Sequence, residues 1–600
     1  MLVLCIRLPK QDNDFQWIED NVPYDLAVLM SYAEDMGAIK RADWDFLDTN
    51  CCDYGGDGAI LDASVNAEPK IILFSLFDYN LDRSLWIARR LRFLLPGTYL
   101  AALGPEVVPD MPLFKAQIFD SFLEGFAETA FLEFLRDAAQ SSVKPRYCPR
   151  AESIPPSVTN PYLAGILPIN YDKRLLLCSG MGRLSYPVFK AAASFPPVYN
   201  DREQLATVLK QATRFGVEEA MVCGQYLDER PDTREFLKTL AAANDNRLVL
   251  SAWMRPEKLD EELVMLLDDA SIYQIHTILG SVNKKALDTS NISLDKKAFE
   301  RGTSLLWTRA ITLKPEIYLA LPHESYESSI ETYDFLGMLG IGQDAELKPI
   351  PLSPGSVLRR NKHKYGIKES FDNPPYWINS TDWMDDGDII NAIADFEDSF
   401  DLAWVPVVSP SFSELKGGFI SSVKIKTVAD IELMLHYPEK LAASVSLILP
   451  ADNTDVISRL IKAARDIRKE NPYILWQFVL CSNTRLPSKK MLEALMDAFY
   501  MPEHYFELSR IFSLDVQASS QARFFFATKN EVLALTAIED HAYLETVFVV
   551  ERDLPGQKLL DSQAFIAFNP DALRFEKLYD IMNAYRDYPE LLLEYSAKLF

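Results

Sequence analysis

The sequence predicts an α/β protein: an N-terminal Rossmann-like domain, a central partial (β/α)6 barrel of the TIM type, and a C-terminal α/β appendage. Three observations predict it. Short apolar runs alternate with segments of helical periodicity through residues 1–140, and again through 171–352. A stretch with six prolines separates the two alternations. At 600 residues and 48% hydrophobic, the chain is long enough for roughly three to five domain cores.

In residues 1–140, "MLVLCI", "KIILFSLFDYN", "TYLAALGPEV" and "IFDSFLEG" read as strands running into loops. Segments 24–37, 81–95 and 128–139 carry the i, i+3, i+4, i+7 spacing of helices. Strands alternating with helices imply a parallel, doubly wound sheet. Ligands of such sheets lie beyond the carboxyl ends of the strands, here the loops 75–80, 104–106 and 124–128. Residues 141–170 read as a linker. From 171 to 370 the runs "RLLLCSG", "EEAMVCGQ", "RLVLSAW", "IYQIHTILGS", "EIYLALP" and "ELKPIPLSP", with helix-length segments such as 201–215 and 230–243, predict the barrel. Its chemistry belongs on the loops after the strands, "SGMGRLSYP" being the first. Residues 371–435 read as a polar crossing followed by a helical extension. Residues 436–600 read as the appendage, with "SVSLILP" and "ILWQFVLC" each followed by a helix, and 523–551 as a β-meander or hairpin.

The formal net charge of −25 argues against nucleic acid as a partner, and the basic clusters "RLRF" and "RRNKHK" read as solvated helix faces. No apolar window is long enough for a membrane span, and the first residues carry no signal-peptide pattern, so a cytoplasmic location is expected. Seven cysteines, at 5, 51, 52, 148, 178, 223 and 481, fit a reducing compartment and form no C-x-x-C motif, and the six histidines show no ligand spacing; no metal site is read from local motifs. His276 reads as a core histidine, and Cys178 and Cys223 as small buried hydrophobes. Asp382, Asp385, Asp386 and Asp388 read as helix caps and a solvated turn.

In the first domain, "IILFSLFDYNLDRSLWIARRLRFLLPGTYLAALGPEVVPD" and "FDSFLEGFAETAFLEFL" follow one order: strand, Ser-x-x-x-x-Asn loop, helix, Gly-Pro-Glu turn and Glu-Gly-x-x-Glu turn. In the barrel stand "ILGSVNKKALD", "IYLALPHESYESSIETYDFLGMLGI" and "LKPIPLSPGSVLRRNKHKYGI". These pieces, over roughly residues 1–400, resemble the cobalamin-dependent radical S-adenosylmethionine (SAM) family. The resemblance implies cobalamin contacts at Ser75, Asn80, Gly104, Pro105, Glu106, Glu124 and Gly125, without a histidine ligand to cobalt. It implies a SAM pocket at Gly224, Gln225, Gly280, Ser281 and Asn283.

The resemblance also implies a C-x-x-x-C-x-x-C cluster loop after the first barrel strand. Aligned on Gly180, the three places hold Met181, Ser185 and Val188, none able to replace a thiolate. Gly280 stands where Gln or Glu is common, and His323 where the family has glycine. The sequence therefore predicts a protein without the iron–sulfur cluster and with weakened SAM contacts, retaining cobalamin. It would act as an accessory subunit toward a protein partner, either an active radical SAM enzyme or a peptide substrate. The alternatives are a cobalamin- or SAM-dependent methyltransferase working by polar chemistry, and a ligand-free scaffold.

Overall fold

The computed structural model describes the chain apart from residues 1, 12–21, 110–116, 126, 150–158, 171–172, 182–188, 190–197, 246–247, 406–408, 501–503, 515–519, 541–543, 552–554, 563, 571–572, 574, 587 and 596–600. Its frame is three sheets packed with helices, parallel throughout except for the antiparallel pair Leu415–Lys416 and Phe419–Lys424 at the edge of the third.

The first sheet contains β1 (Val3–Ile6), β2 (Trp44–Phe46), β3 (Ile71–Ser75), β4 (Tyr99–Leu103), β5 (Ser121–Leu123) and β6 (Arg146–Cys148), in the order β2-β1-β3-β4-β5-β6. Every pairing is parallel. The order reverses between β1 and β3, which places the topological switch point there. Strands such as Ile71–Ser75 are buried at every position, as strands covered by helices on both faces must be. The last strand corrects the sequence reading: Arg146–Cys148 lies within the expected linker, yet it pairs with β5.

The second sheet begins with β7 (Arg174–Cys178). A two-residue strand β8 (Gly180–Met181) then pairs antiparallel with β9 (Val198–Tyr199). The sheet continues with β10 (Glu219–Cys223), β11 (Val249–Trp253), β12 (Ile272–Gly280), β13 (Thr312–Leu319) and β14 (Glu346–Pro349). Its six strands lie in sequential order and all run parallel. Side-chain caps start the intervening helices: Asp201 accepts from Glu203 N at 2.7 Å, Asp260 from Leu263 N at 2.8 Å, and Ser325 caps Tyr326–Leu339. Asp385 and Asp388 form a capping box on Asp386–Phe400, as the acidic turn implies.

A hairpin of β15 (Ile367–Ser370) and β16 (Ile378–Thr381) follows. The third sheet has eight strands: β17 (Leu415–Lys416), β18 (Phe419–Lys424), β19 (Leu441–Pro450), β20 (Leu475–Cys481), β21 (Ala522–Thr528), β22 (Glu545–Val550), β23 (Phe565–Phe568) and β24 (Leu592–Glu594). Two expectations are corrected here. β21 and β22 pair parallel across the helix Glu531–Asp540, so 523–551 is a βαβ crossover and not a meander. Strands β17 and β18, read from sequence as helical extension, are the edge of this sheet, which has more strands than either of the others.

Candidate functional site at the barrel mouth

In parallel strands, side chains in register share a face, and residues two apart along a strand share it too. One face of the second sheet, with Leu177, Val222, Ala252, Ile275 and Ile317, packs in a core shared with helix residues such as Leu336 and Phe299. The opposite face carries the unusual residues. Cys178 pairs with Cys223, Trp253 with His276, and His276 with Lys314. One step further along, Glu316 pairs with Glu346 and Tyr318 with Lys348.

Several of these groups bond to one another. Tyr318 donates to Glu316 at 2.5 Å, and Lys348 Nζ donates to Glu316 and Glu346, each at 2.7 Å. Burial opposes the Lys348 charge, but Glu316 and Glu346 outweigh it and hold the ammonium protonated. His276 is 3% exposed, with Nε2 2.7 Å from Gln274 Nε2 and its ring 5.4 Å from that of Trp253. Burial, assisted by Lys314, pushes its pKa down to about 4, so the imidazole is neutral at physiological pH. Phe189, from the loop after β7, lies edge-on to Tyr318 at 4.8 Å and is buried.

The predicted SAM-pocket residues fall into two groups. Gly224, at φ +89°, lies so close to β8 that an added Cβ would stand 2.1 Å from Gly180 O. Gln225 beside it is fully buried, and its Oε1 is 2.8 Å from where a Cβ on Gly180 would stand. Gly280, Ser281 and Asn283 are at the end of β12. A Cβ on Gly280 would lie 3.1 Å from Ile292 and Leu287. Ser281 donates to Glu324 at 3.0 Å, and Asn283 donates to His323 O at 2.8 Å while capping the helix Lys284–Ser290. Glu324 is 1% exposed, and burial pushes its pKa up to about 7 against hydrogen bonds from Ser281, Ser328 and Ser329. His323 takes a positive φ, +72°, the region that favours the glycine the resemblance expects there, and its ring lies 4.0 Å from that of Trp383. Of the cluster positions, Met181 lies in β8, whereas Ser185 and Val188 lie outside the described residues.

The predicted cobalamin residues surround the strand ends of the first sheet, and the protein itself engages their side chains. Ser75 donates to Asp25, which also meets Arg7 at 3.1 Å. Asn80 donates to Leu8 O at 2.9 Å and Ser75 O at 3.2 Å and accepts from Phe77 N at 2.9 Å, tying the β1 and β3 loops together across the switch point. Gly104 takes φ +112°, where a Cβ would stand 2.3 Å from Leu76 O, and Pro105 follows it in the turn. Glu106 accepts from Tyr376 at 2.6 Å, and that ring, carried by the loop between β15 and β16, is 1% exposed in the first sheet's core. Burial, then Asp78, push the Glu106 pKa up to about 8 against the Tyr376 bond. Glu124 accepts from Tyr147, and Gly125 takes φ +62°.

Sequence reasoning missed Tyr376, the Glu316–Lys348–Glu346 group and Glu324. The signal for the second was present: "KPEIYL" and "ELKP" place charges at alternate positions of otherwise apolar strands.

Comparison with solved structures follows from this frame. The apo form of the cobalamin-dependent S-adenosylmethionine radical enzyme OxsB matches over 84% of this chain and 75% of its own, with a TM-score of 0.50 and 11% identity. The chain is similar in fold to OxsB. The aqua-cobalamin form of OxsB matches equally well. The radical SAM methyltransferase TsrM of Kitasatospora setae, with cobalamin and a [4Fe-4S] cluster bound, matches over 62% of this chain and 81% of its own, with a TM-score of 0.49 and 14% identity. No family model and no curated protein matches the chain. Among the described residues, no helix is long and apolar enough to cross a membrane.

The residues can be tested against the groups that this fold implies. A four-iron cluster open to SAM needs three convergent thiolates. Every cysteine is described, and among the described residues no three His, Cys, Asp or Glu gather as a metal site requires. Cys178 and Cys223 are neighbours on paired strands, and the other five lie on other elements. The donor set does not fit the cluster. Nor do Ser75, Asn80 and Glu106 fit as side-chain contacts to a corrin, since protein partners already hold them.

Proposed function

We propose that this chain is a cluster-free relative of the cobalamin-dependent radical SAM enzymes that works by binding, as an accessory or partner subunit in a modification pathway. The donor set carries this reading: two barrel thiols, Cys178 and Cys223, are one short of a cluster's needs, and Met181 stands at a ligand position of the family pattern. The inward face supports it as well. His276 at about pKa 4 is a weak base, Lys348 is held charged and is no nucleophile, and Tyr318 is engaged with Glu316. A ring of fixed charges and aromatic faces of this kind suits recognition. Cobalamin enters this reading only through the backbone of the strand-end turns, and no step is assigned to it.

The test is anaerobic preparation of the whole chain with iron, sulfide, cobalamin and SAM. The reading expects no iron retained and no SAM cleavage, and SAM cleavage would end it. Cobalt retained without iron identifies a cobalamin holder, and absence of both identifies a scaffold. One observation favours a second reading, polar methyl transfer: a buried carboxyl at about pKa 7, Glu324, is tuned as a general base is. Methylation of an added thiol or amine by labelled SAM or methylcobalamin, lost in Glu324→Gln, would establish that reading instead.

A further inference from the structure

At the barrel mouth, β14 gives way to a loop that carries the basic stretch "RRNKHKYGIK", residues 359–368. Read from sequence, its cations make a solvated helix face. Acidic residues outnumber basic ones 86 to 61, so a face of that kind finds carboxylate neighbours easily. Lys368 has one, Asp382 at 3.7 Å. Arg360, Lys362, His363 and Lys364 are all exposed, and among the described residues none of their side chains has an ion pair or hydrogen bond.

The backbone beneath these side chains is fixed. Ser356 accepts from Arg359 N at 3.1 Å to start the helix Val357–Arg360, and Leu358 is fully buried. Arg359 reaches back to Leu352 O at 3.0 Å, with its guanidinium 5.4 Å from the centre of the Tyr376 ring. The 3-10 turn Lys362–Tyr365 follows and closes at Gly366, where φ is +66° and an added Cβ would stand 2.7 Å from the Trp383 ring. The cations therefore project from a rim about 14 Å long whose backbone is already ordered, which lowers the cost of binding a partner.

The chemistry of that partner follows from charge and reach. At physiological ionic strength the field of the patch extends about 8 Å, roughly half its own length. Beyond it the net charge of −25 governs. A nucleic acid carries charge along its whole length and would run off the patch onto repelling surface. A membrane needs apolar side chains to insert, and here Leu358 is buried and Tyr365 half-buried. About four residues of extended polypeptide span the rim, and a run of Asp or Glu of that length matches its charge. We propose that the rim Arg360–Lys364 is a docking surface for an acidic segment of a partner protein. The inference gives the partner's chemistry within the binding reading above and rests on that reading.

Fluorescence anisotropy of labelled octaglutamate, titrated with the full chain, tests it. Saturable binding is expected, weakened roughly tenfold in Lys362→Glu/Lys364→Glu and less in Lys362→Gln/Lys364→Gln. Both lysines are exposed, so these variants should keep the parent melting temperature. The control Lys489→Glu/Lys490→Glu reverses two exposed lysines of the third-sheet region and should bind as the parent does. Absence of saturable binding, equal weakening in the control, or tighter binding of an oligothymidylate of equal charge or of phosphatidylserine vesicles would each overturn the proposal. The two readings fail separately: SAM cleavage with peptide binding intact removes the accessory role alone, and loss of peptide binding in a chain without iron removes the docking surface alone.

Discussion

Glu106 couples the first sheet to the β15–β16 loop through one proton. Its pKa is about 8 in the fold against 4.5 for the free carboxyl, so folding takes up a proton between those values. Its contribution to stability is complete below pH 4.5 and is lost as pH rises through 8. His276 and His504 act in the opposite sense. Burial pushes them down to about 4 and about 3, so stability is lost as pH falls below their free value of 6.5. Melting temperatures from pH 5 to 9 should decline on the alkaline side, and Glu106→Gln should reduce that decline; an unchanged slope would remove Glu106 from the account. Asn80 permits a second prediction. Losing three hydrogen bonds at a buried site, Asn80→Ala should cost about 1–3 kcal/mol in a denaturant titration, whether or not cobalamin is present. Sequence reading singled out Asn80, Gly104, Ser281 and Asn283 and assigned them to ligands; in the structure Asn80, Ser281 and Asn283 bond to neighbouring protein groups and Gly104 packs against Leu76 O. A serine or asparagine in a tight turn has the same sequence signature whether its acceptor is a cofactor or the neighbouring loop, and only the fold supplies the partner.

Among the elements, the loop after β7 is the one on which the proposed reading turns. It delivers Phe189, adjacent to the last expected cluster position, onto Tyr318. Replacing this buried ring with alanine should cost about 3–5 kcal/mol, read as a lowered denaturation midpoint; a neutral effect would show that the loop is not anchored there. Helices with clear periodicity were legible to within a few residues: 24–37, 81–95 and 128–139 are found as Tyr24–Asp35, Leu81–Leu94 and Glu128–Ala139. The crossover within 523–551 was not legible. "ARFFFAT" and "ETVFVV" are apolar throughout, and Glu531–Asp540 is a short helix rich in Val, Leu and Ala, so no change of period marks where strand gives way to helix. β6 was missed because three residues among prolines carry too little pattern, and its pairing with β5 is a tertiary choice.

On the scale of the whole molecule, three largely parallel sheets pack together, and the first and third meet at backbone distance. A Cβ on Gly56 would stand 2.9 Å from Leu441 O and 3.0 Å from Asn471 Oδ1, whereas one on Gly97 would meet nothing within 4 Å. Gly56→Ala should therefore loosen the seam, lowering the melting temperature and speeding proteolytic separation of the C-terminal part, while Gly97→Ala leaves both unchanged. The alternation of strand and helix made the α/β class readable from sequence, but the eight-strand extent of the third sheet was not, because its edge strands β17 and β18 are short and mostly exposed or half-exposed. The central claim is the proposal that this chain holds no iron–sulfur cluster. It is tested most directly by counting iron in the whole chain after anaerobic reconstitution with iron and sulfide. The account predicts no iron above the level of a chain in which Cys178 and Cys223 are both replaced by serine. About four irons per chain, with cleavage of added SAM, would contradict it.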